Sequence, residues 1–212
     1  MRLIRPAEYR VMPWKNGGGV TTEIYVSPPS GTFDWRVSIA TVNADGPFSA
    51  FADYERHIMT LSGQGMVLDI EGRGKFTLEA LQPFSFSGDA RVHGSLLKGA
   101  VLDFNLMVRR DFGYGILRVV ESCYGEKLGS EKSFCLAYVL QGKCKAGDND
   151  LEPNASFCLG RGEFFTLPAP MKLAVCEITP RLLPLPNALA FRFAGDHDLL
   201  GSRKGLAEAD FQ

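Results

Sequence analysis

Along almost its whole length the chain alternates apolar and polar residues with a period of two, in short runs cut off by glycine, proline, asparagine or aspartate. Successive side chains of a strand point to opposite faces, so this pattern predicts short β-strands, and helical periodicity is nearly absent. Strands are expected at 21–26, 35–42, 56–62, 65–70, 75–78, 84–87, 101–108, 115–120, 133–140, 155–159, 163–167 and 173–178. Helical turns are expected only near 6–9 and 206–211. Many short strands at this spacing make a barrel or a jelly roll. With 45% apolar and 22% charged residues the 212-residue chain is globular, not disordered.

Charge and cysteine content exclude several classes of function. Lys+Arg at 23 against Asp+Glu at 24 lacks the basic surplus that a nucleic-acid partner needs. Met1-Arg2-Leu3-Ile4-Arg5-Pro6 has no apolar run of signal-peptide length. No window approaches the roughly 18 apolar residues of a spanning helix. A cytoplasmic protein with no membrane partner is expected. The five cysteines, Cys123, Cys135, Cys144, Cys158 and Cys176, form no CxxC pair. Cys135, Cys158 and Cys176 fall in apolar strand-like runs, as inert thiols of a reducing compartment do.

A weak internal repeat organises these strands. Leu61-Ser62-Gly63 matches Leu140-Gln141-Gly142, and Pro83-Phe84-Ser85-Phe86 matches Glu163-Phe164-Phe165-Thr166, at offsets of 79 and 80 residues. Leu102-Asp103-Phe104 is matched with Ala174-Val175-Cys176 at a shorter offset. Strand, glycine turn and strand ending near an aromatic is how each half of a cupin-type double-stranded β-helix is written. The expected fold is therefore an all-β bicupin, with an N-terminal cupin half at 1–111 that carries the pocket. A degenerate C-terminal half spans 112–212. The Pro/Leu-rich stretch 181–186 is expected to extend over the other half or over a second subunit of a homodimer.

Function is written most densely in Pro13-Trp14-Lys15-Asn16-Gly17-Gly18-Gly19-Val20-Thr21-Thr22-Glu23. Consecutive glycines free the backbone and let a ligand come close. Such turns aim several N–H groups at one point and make a small anion nest, with Lys15 and Asn16 beside it. The plainer reading is an Asn-Gly turn leading into a strand. Further along, alternation puts Arg36, Ser38 and Ala40 on one face of 35–42, and Asp103, Asn105, Met107 and Arg109 on one face of 101–109. Each such face is either turned to a barrel interior or solvated.

Cupin spacing gives the arginine a place. Metal-binding cupins carry HxH, then a glutamate, six residues and a glycine; counted back from Gly63, Arg56 occupies the glutamate position. Arg91 occupies a later histidine position counted from Gly88, and the chain's three histidines, His57, His93 and His197, form no HxH. Imidazole and carboxylate hold first-row metals, whereas a guanidinium puts positive charge where the cation would sit. The expected pocket takes a compact carboxylate and no metal or other cofactor, through charge-assisted hydrogen bonds of roughly 1.5–3 kcal/mol each. The competing role for Arg56 is an ion pair with Glu23, Asp53 or Asp103. His57 and His93 read as packing histidines.

These residues resemble the HutD/Ves family of bacterial proteins. The resemblance rests on the Pro13–Gly19 run with Thr22-Glu23-Ile24, on Trp35-Arg36-x-Ser38-x-Ala40-x-Val42, and on Gly46-Pro47-Phe48-Ser49-x-Phe51. Arg56, Leu61-x-Gly63-x-Gly65 and Asp103-Phe104-Asn105-Leu106-Met107 continue it, so that it spans roughly the first 110 residues. It implies a bicupin without the usual metal ligands. The implied ligand is a formyl- or formimino-glutamate-like metabolite, and the implied role is moderation of histidine catabolism or of a stress response. Trp14, Lys15, Asn16, Gly17, Gly18, Arg36, Ser38, Phe48, Arg56 and Asn105 are the candidate ligand-binding residues, with no catalytic set. One departure is Asp53-Tyr54-Glu55, where many relatives carry a glycine; its acids are expected to weaken the pull of Arg56. The alternatives are a metal-free isomerase or hydrolase with Glu23 or Asp103 as general base, and an interaction or scaffold protein using an exposed sheet.

Overall fold

A computed structural model describes residues 1–181. Residues 182–186 of the Pro/Leu-rich stretch and the helical turn expected near 206–211 lie outside the described residues. The first half of the strand order runs β1 (Arg2–Ile4), β2 (Arg10–Pro13), β3 (Gly19–Ser27), β4 (Trp35–Val42), β5 (Gly46–Pro47), β6 (Tyr54–Ser62), β7 (Met66–Ile70), β8 (Gly74–Leu78), β9 (Phe84–Ser87), β10 (Val92–Leu96) and β11 (Val101–Arg109). It continues through β12 (Gly113–Ser122), β13 (Lys127–Gly129), β14 (Phe134–Gln141), β15 (Cys144–Ala146), β16 (Asn149–Leu151), β17 (Ser156–Leu159), β18 (Phe164–Thr166) and β19 (Met171–Pro180). One 3-10 turn, Pro6–Glu8, stands where a helical turn is expected. Among the described residues no helix is long and apolar enough to cross a membrane.

Two sheets enclose the first barrel: a six-stranded sheet in the order β2-β3-β4-β11-β6-β9 and a four-stranded sheet β5-β10-β7-β8. The second barrel is built on a five-stranded sheet β1-β17-β14-β19-β12, with two short hairpin sheets, β13-β18 and β15-β16. The N-terminal strand β1 therefore lies in the second barrel's sheet, with Leu3 opposite Phe157. All twelve expected strands are present, β4 and β9 with the expected ends. Those the alternation misses are β1, β2, β5, β10, β13, β15 and β16, all of five residues or fewer. A run that short accumulates little periodicity.

The six-stranded sheet is buried on both faces. One face, with Trp35, Val37, Phe104, Leu106 and Val108, packs on Leu136, Tyr138, Ala174, Cys176 and Ile178 of the second barrel's sheet. The Phe104 and Tyr138 rings meet there at 5.6 Å. The opposite face of β4, β11 and β6 therefore turns to the interior of the first barrel and not to solvent. Cys135 and Cys176 are buried and Cys158 is half-buried, all as free thiols. Burial pushes Cys135 up to about 12 and Cys158 up to about 11, which suppresses the reactive thiolate.

The internal repeat is a structural one. The β6–β11 ladder skips Leu61 and the β14–β19 ladder skips Leu140, so each half carries a bulge at the same point. Gly63 and Gly142 follow, with φ of 99° and 89°. Added Cβ atoms there would meet the Ala100 carbonyl oxygen at 2.7 Å and the Pro170 carbonyl oxygen at 2.8 Å. This registers Val101 with Met171, so Leu102-Asp103-Phe104 corresponds to Lys172-Leu173-Ala174. The expected match to Ala174-Val175-Cys176 is corrected by two residues, because the bulge rather than the apolar pattern sets the register. Gly63→Ala is expected to destabilise the protein by about 2–3 kcal/mol, from backbone strain plus the carbonyl clash. Gly72→Ala, at φ 75° with open space around it, should cost about 1 kcal/mol; chemical denaturation of the two variants measures the difference.

Candidate functional site

Three neighbouring strands form the wall of a cavity in the first barrel. Their registers place inward-facing residues in rows: Arg36, Met107 and Arg56; then Ser38, Asn105 and Ile58; then Ala40, Asp103 and Thr60. The rows are two residues apart, hence about 7 Å along the strands. The cavity measures about 510 Å³ and is lined from this wall by Arg36, Ser38, Ala40, Arg56, Asp103, Asn105 and Met107. That is a volume suited to a small organic molecule.

Aromatic rings hold both arginines. The Arg56 guanidinium lies 5.0 Å from the Phe86 ring centroid, 5.4 Å from Phe48 and 5.7 Å from Phe51. The Arg36 guanidinium lies 5.2 Å from Phe51 and 5.1 Å from Phe33, so Phe51 contacts both cations. Ring faces attract these cations without neutralising them. Arg56 is only 5% exposed, yet its one side-chain hydrogen bond runs from Nη1 to the Ser49 carbonyl at 3.3 Å. Among the described residues neither arginine has a carboxylate within ion-pair distance, and both Nε atoms are buried without a partner. Burial lowers the Arg56 pKa to about 10, against the attraction of Asp103. Burial lowers Arg36 as well.

The other two rows offer acceptors. Asp103 and Asn105 are 2% and 4% exposed, and one side-chain oxygen of each, Oδ1, has no hydrogen-bond partner. Desolvation raises the Asp103 carboxyl to about 7, with the pull of Arg56 opposing it. Buried polar groups are ordinarily paired. Here the residues that carry these unpaired atoms line one cavity.

The mouth comes from two loops. Phe48 is set by its backbone N–H to the Val92 carbonyl and packs against Gly94, where a Cβ would meet the ring edge at 2.7 Å. The Phe51 N–H bonds the Gly88 carbonyl. Trp14, Lys15 and Asn16 come from the β2–β3 turn, and Trp14 Nε1–H donates to Thr21 Oγ1 at 2.8 Å.

The three glycines serve this turn. Gly17 has φ 71° and donates its N–H to the Trp14 carbonyl at 3.0 Å. The Gly18 N–H goes to Asn16 Oδ1 at 3.0 Å. At Gly19 a Cβ would strike the Trp14 ring at 2.9 Å. These N–H groups are spent within the hairpin and do not form an open nest, so the plainer Asn-Gly turn is what is found.

Eight of the ten candidate residues line the cavity: Trp14, Lys15, Asn16, Arg36, Ser38, Phe48, Arg56 and Asn105. Gly17 and Gly18 do not. The cavity wall also includes Phe51, whose aromatic character in Gly46–Phe51 is its signal, and Asp103, which the alternation puts on one face with Asn105 but which is not among the ten candidates. Arg109, expected on that face, instead pairs with Asp34 at 3.0 Å and with Asp111 at the sheet end. Arg91 is an exposed partner of Glu71 at 4.0 Å and is not in the cavity. His93, expected to be packed, is exposed. His57 is buried with Nδ1 2.7 Å from Ser85 Oγ and Nε2 unpaired, and burial depresses it to about 4. Asp53 turns to Arg110 at 3.7 Å, so it does not neutralise Arg56. Glu23 does not line the cavity. The donor set does not fit the metal of other cupins: no imidazole lines the cavity, and two guanidiniums repel a cation.

A bicupin with one open, arginine-lined barrel is the class defined by these features. The HutD family model matches residues 6–177, and the chain belongs to the HutD family, which is linked to histidine utilisation. HutD of Pseudomonas fluorescens SBW25, solved in a formate condition, is 32% identical with a TM-score of 0.75, covering 85% of this chain and 98% of that one. An uncharacterised 21.2 kDa protein of the hutC 3′ region of Pseudomonas putida is 45% identical over 109 residues, 50% of this chain. That match spans 57% of the relative's own length. Protein Ves of Cronobacter sakazakii is 37% identical over 143 residues, 66% of this chain and 76% of that protein.

The two perturbed groups set opposite pH dependences. Asp103 holds in the folded state, up to about 7, a proton that the unfolded chain releases near 3.8. Stability is therefore lost as pH rises through that window. His57 stays neutral in the fold down to about 4 while the unfolded imidazole protonates near 6.5, so stability is lost as pH falls from 6.5 to 4. Asp103→Asn should stabilise the ligand-free protein by about 1–3 kcal/mol at pH 8 and leave it unchanged at pH 4. His57→Gln should reduce the acid-side loss, and urea titrations at pH 4, 6 and 8 read both effects.

Proposed function

We propose that this protein is a metal-free receptor for a small carboxylate metabolite, of the formyl- or formimino-glutamate kind, and that ligand occupancy modulates histidine catabolism or a stress response. One observation carries the reading: among the described residues, two guanidiniums share one cavity against phenyl rings with no carboxylate partner. A buried cation that lacks a counter-charge favours an anion far more than it would in water. Guanidinium donors match a carboxylate's two oxygens. Trp14, Lys15, Asn16, Ser38, Phe48 and Asn105 would shape and orient the rest of the molecule, and membership of a family linked to histidine utilisation favours an intermediate of that chemistry.

A second reading, a metal-free isomerase or hydrolase, draws on Asp103, since a carboxyl at about 7 beside a ligand is suited to general-base work. Turnover of a bound acid that disappears in Asp103→Asn would select that reading.

For the receptor, titration calorimetry with N-formyl-L-glutamate is the direct measurement. Arg56→Gln should weaken binding about 100-fold, some 3 kcal/mol, with the fold retained by circular dichroism. Failure of wild-type protein to bind at millimolar concentration, or equal binding by Arg56→Gln, would remove the carboxylate reading.

A further inference from the structure

The cavity wall has a chemical polarity. Its arginine row presents guanidinium donors, those of Arg36 and Arg56. The next two rows line the cavity with the Asn105 amide and the Asp103 carboxyl, and one oxygen of each, Oδ1, has no hydrogen-bond partner. Asp103 lies four residues along the strand from Met107, which sits between the arginines, so the Asp103 row is about 14 Å of backbone from the arginine row, with Asn105 midway. A carboxylate held by the arginines satisfies one set only. A plain carboxylic acid would leave the Asp103 carboxyl without a donor in an occupied, dehydrated cavity, and unmade buried hydrogen bonds are what a binding site discriminates on most strongly.

We propose that Asp103 is a specificity-determining residue, which selects carboxylates carrying an N–H donor by accepting a hydrogen bond from that donor while the arginines hold the carboxylate. This rests on the carboxylate reading given above. The favoured class is an N-acylated or N-formimidoylated amino acid, with the N–H a few bonds from the acid group; simple mono- and dicarboxylates are disfavoured.

The preference also depends on pH. Ionised, Asp103 is an acceptor only; protonated, it becomes a donor and can serve a molecule without an N–H. Its carboxyl sits at about 7. The charged groups around it are Arg36 from β4, Arg56 from β6 and Lys15 from the β2–β3 turn, with Glu23 of β3 acting on Arg36. The facing four-stranded sheet contributes apolar Met66, Leu68, Ile70 and Val92.

The test compares N-formyl-L-glutamate with N-formyl-N-methyl-L-glutamate by calorimetry at pH 8 and pH 6, using the full chain. Wild-type protein should bind the N–H form at least tenfold more tightly at pH 8, and the ratio should fall to about threefold or less at pH 6. In Asp103→Asn the ratio should be the same at both pH values. Equal affinity for the two probes at pH 8 would overturn the inference. A ratio unchanged by pH in wild type, or one that shifts with pH as much in Asp103→Asn, would also overturn it, since the methyl group's bulk would then explain the preference. Where both probes bind wild type alike and Arg56→Gln loses both, the Asp103 inference alone falls. Where neither probe binds, the carboxylate reading falls and takes this inference with it.

Discussion

The Arg56 guanidinium is kept charged inside a barrel by three phenyl rings and one carbonyl, with no acid close enough to neutralise it. Most of the site's features follow from tolerating that charge. A second arginine lines the same cavity against Phe51 and Phe33, and its charge adds to what lowers Arg56. The one buried carboxylate nearby, Asp103, stands beyond ion-pair distance, where it eases Arg56 without cancelling it. Burial then acts on every member at once, lowering both arginines and raising Asp103. The result is a cavity whose buried arginines and carboxyl share the same walls without forming an ion pair.

The second barrel shows what the same framework becomes without that requirement. The bulges at Leu61 and Leu140 align Arg56, Ile58 and Thr60 with Cys135, Ala137 and Val139. The same alignment matches Asp103 and Asn105 to Leu173 and Val175. All five of the second set are buried in a continuous apolar cluster. Where the first half keeps charges around a space, the second fills the space with side chains. Its contribution to the site is mechanical: it covers the back of the six-stranded sheet, so that β11 is buried on both faces and its polar side has only the cavity to face.

How far the site was legible depends on residue type. Arg36, Ser38 and Asn105 were found because alternation is a strict geometric rule within a strand, and Arg56 because one spacing tied it to Gly63. Arg91 and His93 misled because spacing in a turn-rich segment does not fix which way a strand faces. Arg109 obeyed the alternation but sits at the end of β11, where Asp34 and Asp111 draw it away from the cavity. The glycine run suggested an anion nest, whereas its N–H groups close a hairpin and its missing Cβ makes room for Trp14. Composition announces that backbone freedom is needed, not what the freedom is for.

Alternation, punctuation and repeat thus established an all-β chain of strands with one polar and one apolar face, since both follow from the local stereochemistry of extended backbone. Which polar faces turn inward is a long-range matter. It was settled when the apolar faces of β4, β6 and β11 found the second barrel's sheet, leaving guanidinium, carboxyl and amide groups around a shared hollow. Only that enclosure, by stripping water from charges the sequence merely spaces, turns them into a candidate site.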